Sequence, residues 1–348
     1  MTSHELIQRY KSLNESFKPI LIYHLGIDAG FFAEYTYMLH AMLYCLQQKI
    51  QFRLYSADAN FRCNRGWGDY FLSFCPEVSD EFHHTYNMHR LPSWRKLLQD
   101  RNGKLLRWKL KCTYLNWIGD YLAWRRYGKR VRLNHHVRFD INAHFSIPEL
   151  EIDGDYLHAF RKMADITWQL NPDTRQAGDC LCQTLRLPEQ YVGCQVRGGD
   201  KITETELLSP EYYLHLIREK STVQHVFVLT DDIRLFHSLQ TLAPELHWYT
   251  LCSPQEQGYV NSSFSQEQGE KKKQQMVRFL TSMQLLMQSS LFVGSVTTGP
   301  SLFLLKWFHP HHCPADCLPE QFPQIARLPV AGRSEAAGKY LQNRNFPI

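Results

Sequence analysis

The stretch Tyr191–Tyr213, YVGCQVRGGDKITETELLSPEYY, limits the possible folds more than any other. Tyr191 to Val196 is an apolar run of strand length that breaks abruptly into Arg197-Gly198-Gly199-Asp200-Lys201. Helical spacing resumes only after Ser209-Pro210. A buried strand ending in a glycine-rich turn with Arg and Lys is a way for an α/β sheet to hold a phosphate. The glycines let backbone N–H groups approach, and ligands collect at the carboxyl ends of the strands. Arg brings a planar fork of donors and Lys a compact charge. The alternative is a solvated turn of mixed charge, and this stretch alone does not decide between the two.

The rest of the chain supplies matching elements. Pro19–Leu25 reads as a strand that ends at Gly26-Ile27-Asp28-Ala29-Gly30. Phe31–Gln48 has apolar residues at helical spacing, and Ile50–Tyr55 is a second strand. Strand, glycine turn, helix, strand is a βαβ unit, the start of a Rossmann-like domain. Leu150–Glu189 bridges the domains, and within it Tyr156–Leu170 is a helix candidate ended by Asn171-Pro172-Asp173. Beyond the motif, Glu211–Glu219 is helical. His225–Leu229 is a buried strand ending at Thr230-Asp231-Asp232, and Ile233–Leu242 is the next helix. Asp231 and Asp232 can accept hydrogen bonds from a ribose, a base or a neighbouring Arg, or can cap that helix; both readings stand. His247–Leu251 is a further strand, and polar Ser253–Lys273 is expected to be a loop. A helix over Met276–Met287 and a strand over Leu291–Val293 lead to Ser295-Val296-Thr297-Thr298-Gly299-Pro300, which opens another helix. Hydroxyls and amides at a helix start form an anion site. Beyond Trp307 the Pro- and His-rich chain reads as a surface tail.

Several of these segments resemble the α1,6-fucosyltransferases and their relatives, the Nod-factor and protein O-fucosyltransferases. In that family a strand runs into Val-Arg-Arg-x-Asp-Lys, then a Glu-bearing loop and a helix. Val196, Arg197, Asp200 and Lys201 stand at the matching positions, with Gly198 at the second Arg. The glycine turn at Gly26 and Gly30, Leu39-His40, Tyr44-Cys45, Gly66-Trp67, the Trp168-Gln169-Leu170-x-Pro172 segment and Thr230-Asp231-Asp232 also follow the family's order. The resemblance covers roughly residues 20–75 and 165–308; residues 76–164 are matched poorly.

The resemblance implies an α/β, GT-B-like fold: two Rossmann-like domains facing across a cleft, 1–165 on the acceptor side and 166–348 holding the donor nucleotide. It implies an inverting transfer of fucose from GDP-fucose to a glycan hydroxyl, the acceptor being a glycan or a lipid-linked glycan. Neither a metal nor another cofactor is expected. Gly26, Gly30, Gln195, Arg197, Asp200, Asp231, Asp232, Thr297 and Thr298 would then contact the donor. Lys201, Glu204 and Glu206 would be the catalytic residues. The family's Glu aligns with Thr205, so a one-residue shift brings in Glu204 or Glu206 as base, with Asp28 and Glu34 next in line. Three positions depart from the family. Its guanine-reading Asp falls at Ser282, its donor-strand His at Gln195, and its second Arg at Gly198. A different nucleotide sugar, or a non-catalytic sugar-nucleotide or glycan binder of the same fold, therefore stays open.

With 348 residues the chain has room for two domains, and 44% hydrophobic with 21% charged residues is ordinary globular composition. A formal charge of +5 suits anionic ligands but is too small to suggest nucleic acid. No apolar run approaches the ~20 residues that span a bilayer. The expectation is a protein with no signal peptide or anchor, cytoplasmic or peripheral at the inner membrane face. Ten cysteines without framework spacing fit reduced thiols. His311, His312, Cys313 and Cys317 are a zinc-like grouping with no partner pair elsewhere. Leu91–Arg138 is rich in Lys and Arg, with only Asp100 and Asp120 in opposition, and interleaves Trp94, Trp108, Trp117 and Trp124. Either its Trp face is buried and its basic face wet, or the segment rests on an anionic membrane or acceptor.

Overall fold

The computed structural model describes residues 3–26, 29–87, 98, 100–128, 132–134, 140–198, 208–267, 269–307 and 311–343. The chain divides into two compact units, Met1–Asn171 and Pro172–Ile348. Residues 166–171 thus belong with the first.

Unit 1 begins with helix α1 (Ser3–Ser16), which turns Leu6, Ile7 and Tyr10 inward at helical spacing. Strand β1 (Ile20–His24), helix α2 (Phe31–Gln47) and strand β2 (Gln51–Tyr55) form the expected βαβ unit, with Ile20 opposite Gln51 in parallel register. Asn14 at the end of α1 acts as an extra strand partner for β2. Its Nδ2 donates to Phe52 O at 2.9 Å, and its Oδ1 accepts from Phe52 N at 2.6 Å.

Next come the short helix α3 (Glu81–Thr85), the long helix α4 (Lys104–Tyr127) and strand β3 (Arg132–Asn134), which pairs parallel on the free side of β1. Among the described residues the sheet order is β2-β1-β3. A hairpin of β4 (Phe145–Ile147) and β5 (Ile152–Gly154) precedes helix α5 (Tyr156–Thr167). Helix α5 packs on α2, where Tyr35 Oη and Thr167 Oγ1 lie 2.6 Å apart. The core beside α2 is aromatic: Trp67 stacks on Phe71 with centroids 4.2 Å apart, and Phe31, Tyr35 and Trp168 close around them.

Unit 2 opens with helix α6 (Pro172–Leu185), leading to strand β6 (Val192–Val196), helix α7 (Pro210–Lys220), strand β7 (His225–Thr230), helix α8 (Ile233–Leu242) and strand β8 (His247–Tyr249). Helices α9 (Asn261–Gln266) and α10 (Gly269–Gln288) follow. Then come strand β9 (Leu291–Gly294), helix α11 (Gly299–Trp307), strand β10 (His312–Pro314), and helices α12 (Phe322–Ile325) and α13 (Val330–Asn343). Among the described residues one parallel sheet runs β10-β9-β6-β7-β8. Strand β6 lies at its centre with every residue buried, the polar Gln195 included.

Helices lie on both faces of this sheet. Val192, Cys194 and Val196 face a core with Tyr212, Tyr213 and Ile217 of α7. Gly193 points the other way, against Leu286 and Ser289, the latter just past the end of α10. Helix α7 starts as its sequence signals, with Ser209 Oγ accepting from Tyr212 N and Pro210 in the first turn.

Two expectations fail here. The segment beyond Trp307 is not a surface tail: β10 extends the sheet, and Cys313, Ala315, Asp316 and Cys317 are buried. Ser253–Lys273 is not one loop, since α9 and the first turn of α10 lie within it. In the second case α10 buries Lys272, Met276 and Val277, so tertiary packing holds a helix that its polar start does not announce.

Candidate functional site

The carboxyl ends of the adjacent strands β9, β6 and β7 each deliver polar groups. Arg197 follows β6 directly. Its Nη1 lies 2.8 Å from Asp231 Oδ2, and its guanidinium sits 5.1 Å from the ring centroid of Tyr259. Asp231 is the hub of this corner. Besides Arg197 it accepts from Gly198 N and from Tyr259 N, each at 2.8 Å, while its own carbonyl accepts from Gly258 N. One carboxylate thus fixes the start of the Arg197 turn and the loop carrying Tyr259. Of the readings open for the two acids, Asp231 is the partner of an Arg.

Asp232 is the cap. Its Oδ1 accepts from Arg234 N at 3.0 Å, and Arg234 closes back on it with Nη2 at 2.6 Å. These contacts with Arg234 hold the Asp232 carboxyl below the usual carboxylate range. Gly198 packs against Asp232 and Leu235; an added Cβ would stand 3.1 Å from Asp232 Cβ. A side chain at this position would press on Asp232 and Leu235.

On the other side of β6 the loop before α11 is braced from within. Gln195 is 2% exposed, and its Oε1 accepts from the hydroxyls of Thr298 and Ser301, both at 2.6 Å. Ser295 Oγ donates to Asp316, so the Thr297 hydroxyl 2.6 Å away is the donor to Ser295. Asp316 also accepts from Val296 N at 2.8 Å. Burial pushes the Asp316 carboxyl up to about 6 against the lowering effect of these donors. Thr298 is therefore turned inward onto Gln195, whereas Thr297 is only half-buried. Ser282, on α10, is buried and donates its hydroxyl to Arg278 O.

The structure thus brings together Arg197, Asp231 and Asp232, and beside them Gln195, Thr297 and Thr298. Asp200, Lys201, Glu204, Glu206 and Asp28 lie outside the described residues. Gly26 and Gly30 belong to unit 1. Gly26 has φ +112°, and a Cβ there would meet Asp58 O at 2.7 Å, so only glycine fits the turn. Gly30 is the cap residue of α2 in extended conformation. Glu34, named as a fallback base, is fully buried, and its Oε2 accepts from Gly26 N at 2.9 Å. It builds the turn.

Tyr259 and Asp316 were missed by sequence reasoning. Tyr259 stood in a segment read as loop and Asp316 in one read as tail, and nothing in their local spacing marks them. Cys313 and Cys317 of the zinc-like grouping are core residues. Among the described residues no three His, Cys, Asp or Glu side chains are gathered to hold a metal ion.

Arg and helix-start groups at the carboxyl ends of parallel strands are the ligand side of an open α/β sheet. In fold, the chain is similar to a mutant of Arabidopsis thaliana FUT1 in complex with GDP. The TM-score is 0.50 and the identity 11%, over 87% of this chain and 73% of that one. It thus has the α/β fold of a fucosyltransferase structure. Likenesses were also found to fucosyltransferase NodZ from Bradyrhizobium (TM-score 0.45, 11% identity, 83% and 93% coverage). POFUT1 in complex with GDP-fucose is a third (TM-score 0.45, 10% identity, 86% and 98% coverage). No protein-family model matches the chain, and no curated protein matches it in sequence.

Proposed function

We propose that this protein is an inverting, metal-independent glycosyltransferase that moves fucose from GDP-fucose to a hydroxyl of a glycan or lipid-linked glycan. In this reading the two units face each other across a cleft in the GT-B manner, and unit 2 holds the donor. The observation that carries it is the placement of Arg197 at the carboxyl end of the central strand, between Asp231 and the start of α11. The fold it shares with a fucosyltransferase structure supports it further.

The leaving diphosphate gains charge as the glycosidic bond breaks, so cations and amide dipoles held there favour the transition state. A guanidinium has five N–H donors in a plane and can serve Asp231 and a phosphate together. Lys201 adds a second cation, and Thr297 with the α11 amides completes the anion site. Glu204, with Glu206 as runner-up, takes the proton from the acceptor hydroxyl.

Ser282, at the position of the resembling family's guanine-reading Asp, and Gln195, at that of its donor-strand His, spend their side chains inside the protein. That favours a second reading in which the donor carries another base or sugar. Thermal-shift measurements with GDP, UDP, ADP and their sugars separate the two. Ligand at about 100 times its Kd stabilises by about 2.7 kcal/mol. GDP and GDP-fucose should raise the melting temperature, and a response to UDP-sugars alone would sink the fucose reading.

A further inference from the structure

Helix α4 leaves a large part of its apolar surface uncovered. The side it buries carries Cys112, Gly119 and Ala123, all small. Gly119 lies against Tyr86, and Ala123 packs with Ile22 of β1 and Tyr55 of β2. Six large apolar side chains point the other way: Leu106 is 45% exposed, Leu110 62%, Tyr114 62%, Trp117 69%, Tyr121 47% and Trp124 42%. The buried-Trp reading of this segment therefore fails at Trp117 and Trp124.

These six residues recur at intervals of three and four. At about 100° per residue they share an arc of about 80°, and the stripe is about 27 Å long. The helix has six basic residues against the single acid Asp120. Exposed Arg107, Lys111 and Arg125 fall within about 60° of one edge of the stripe. Among the described residues no helix is long and apolar enough to cross a membrane.

We infer that α4 is a membrane-docking helix that lies along an anionic lipid surface. It would sink its Leu, Trp and Tyr stripe between headgroups and lay its cationic edge on their phosphates. The composition favours lipid over a second copy of the chain. Two Trp and two Tyr have rings for the acyl boundary and polar atoms for the headgroup layer. An isologous antiparallel pair of α4 helices would instead set the Arg107, Lys111 and Arg125 edge against itself. The inference does not depend on the donor or the reaction, and its test needs neither.

The test is co-sedimentation of the whole chain with vesicles of phosphatidylcholine alone, or of phosphatidylcholine mixed with phosphatidylglycerol. The protein should pellet with the mixed vesicles, remain largely in solution with the neutral ones, and be released at about 1 M salt, where screening acts over about 3 Å. The triple variant Arg107→Gln, Lys111→Gln, Arg125→Gln should lower partitioning about a hundredfold, at about fivefold per cation. The double variant Trp117→Ser, Tyr121→Ser should stop pelleting. Both substitute exposed side chains and should melt like the parent. A parent chain that ignores the anionic vesicles would overturn the inference, as would variants that bind them undiminished. So would a dimer in sedimentation velocity that only the Trp117→Ser, Tyr121→Ser variant dissolves, if the parent also fails to bind vesicles.

Discussion

At the scale of single residues, Arg197 and Asp231 anchor the candidate site. Asp231 keeps its bonds from Gly198 N and Tyr259 N when Arg197 is removed, so the corner should survive the loss. Arg197→Ala is expected to abolish transfer and weaken GDP binding about tenfold to a hundredfold, the scale of one charged hydrogen bond. Arg197→Lys should rescue little, because a single ammonium cannot span Asp231 and a phosphate as the planar fork does. Calorimetric titration with GDP checks both variants, and unchanged affinity in the pair would remove Arg197 from the site.

At the scale of elements, a buried histidine chain ties β1, α3 and α4 together. His24 Nε2 lies 3.0 Å from His83 Nδ1, and His83 Nε2 lies 2.8 Å from Tyr127 Oη, which donates to Asp80 at 3.1 Å. Asp80 only accepts, so Tyr127 receives from His83, and His83 in turn receives from His24. Burial, the largest effect, pushes His83 down to about 4. The unfolded chain binds this proton near pH 6.5, the folded one not until about 4. His83 thus contributes stability that is complete above about pH 6.5 and is lost as pH falls towards 4. His83→Gln, which does not titrate, should flatten that limb and narrow its deficit against the parent by about 1–2 kcal/mol between pH 7 and pH 5. Urea unfolding at the two pH values measures it, and parallel slopes would rule His83 out as the titrating group.

At the scale of the whole molecule, the proposed charge neutralisation by Arg197, Lys201 and the α11 start predicts transfer that persists in EDTA. Activity lost with the chelator and restored by manganese would place the protein in a different class of transferase.

Local pattern was enough for the strands β1, β2, β6, β7 and β9 and for the helices α2, α5, α7, α8 and α11. Each is a run whose apolar period reports its own burial, and Ser209-Pro210 and Asp232 are start signals read by their immediate neighbours. The motif at Arg197 was legible for the same reason. What the sequence could not contain was the outcome of distant pairing. Asp316 shapes the loop before α11 only because β10 pairs with β9 and sets Pro314 beside Gly294. Gln195 turns inward because Thr298 and Ser301, over a hundred residues away, meet it. The stripe on α4 has the period of any core-facing helix. Only the fold decided that Gly119 and Ala123 would face inward, since a close approach to Tyr86 and Ile22 leaves no room for a tryptophan.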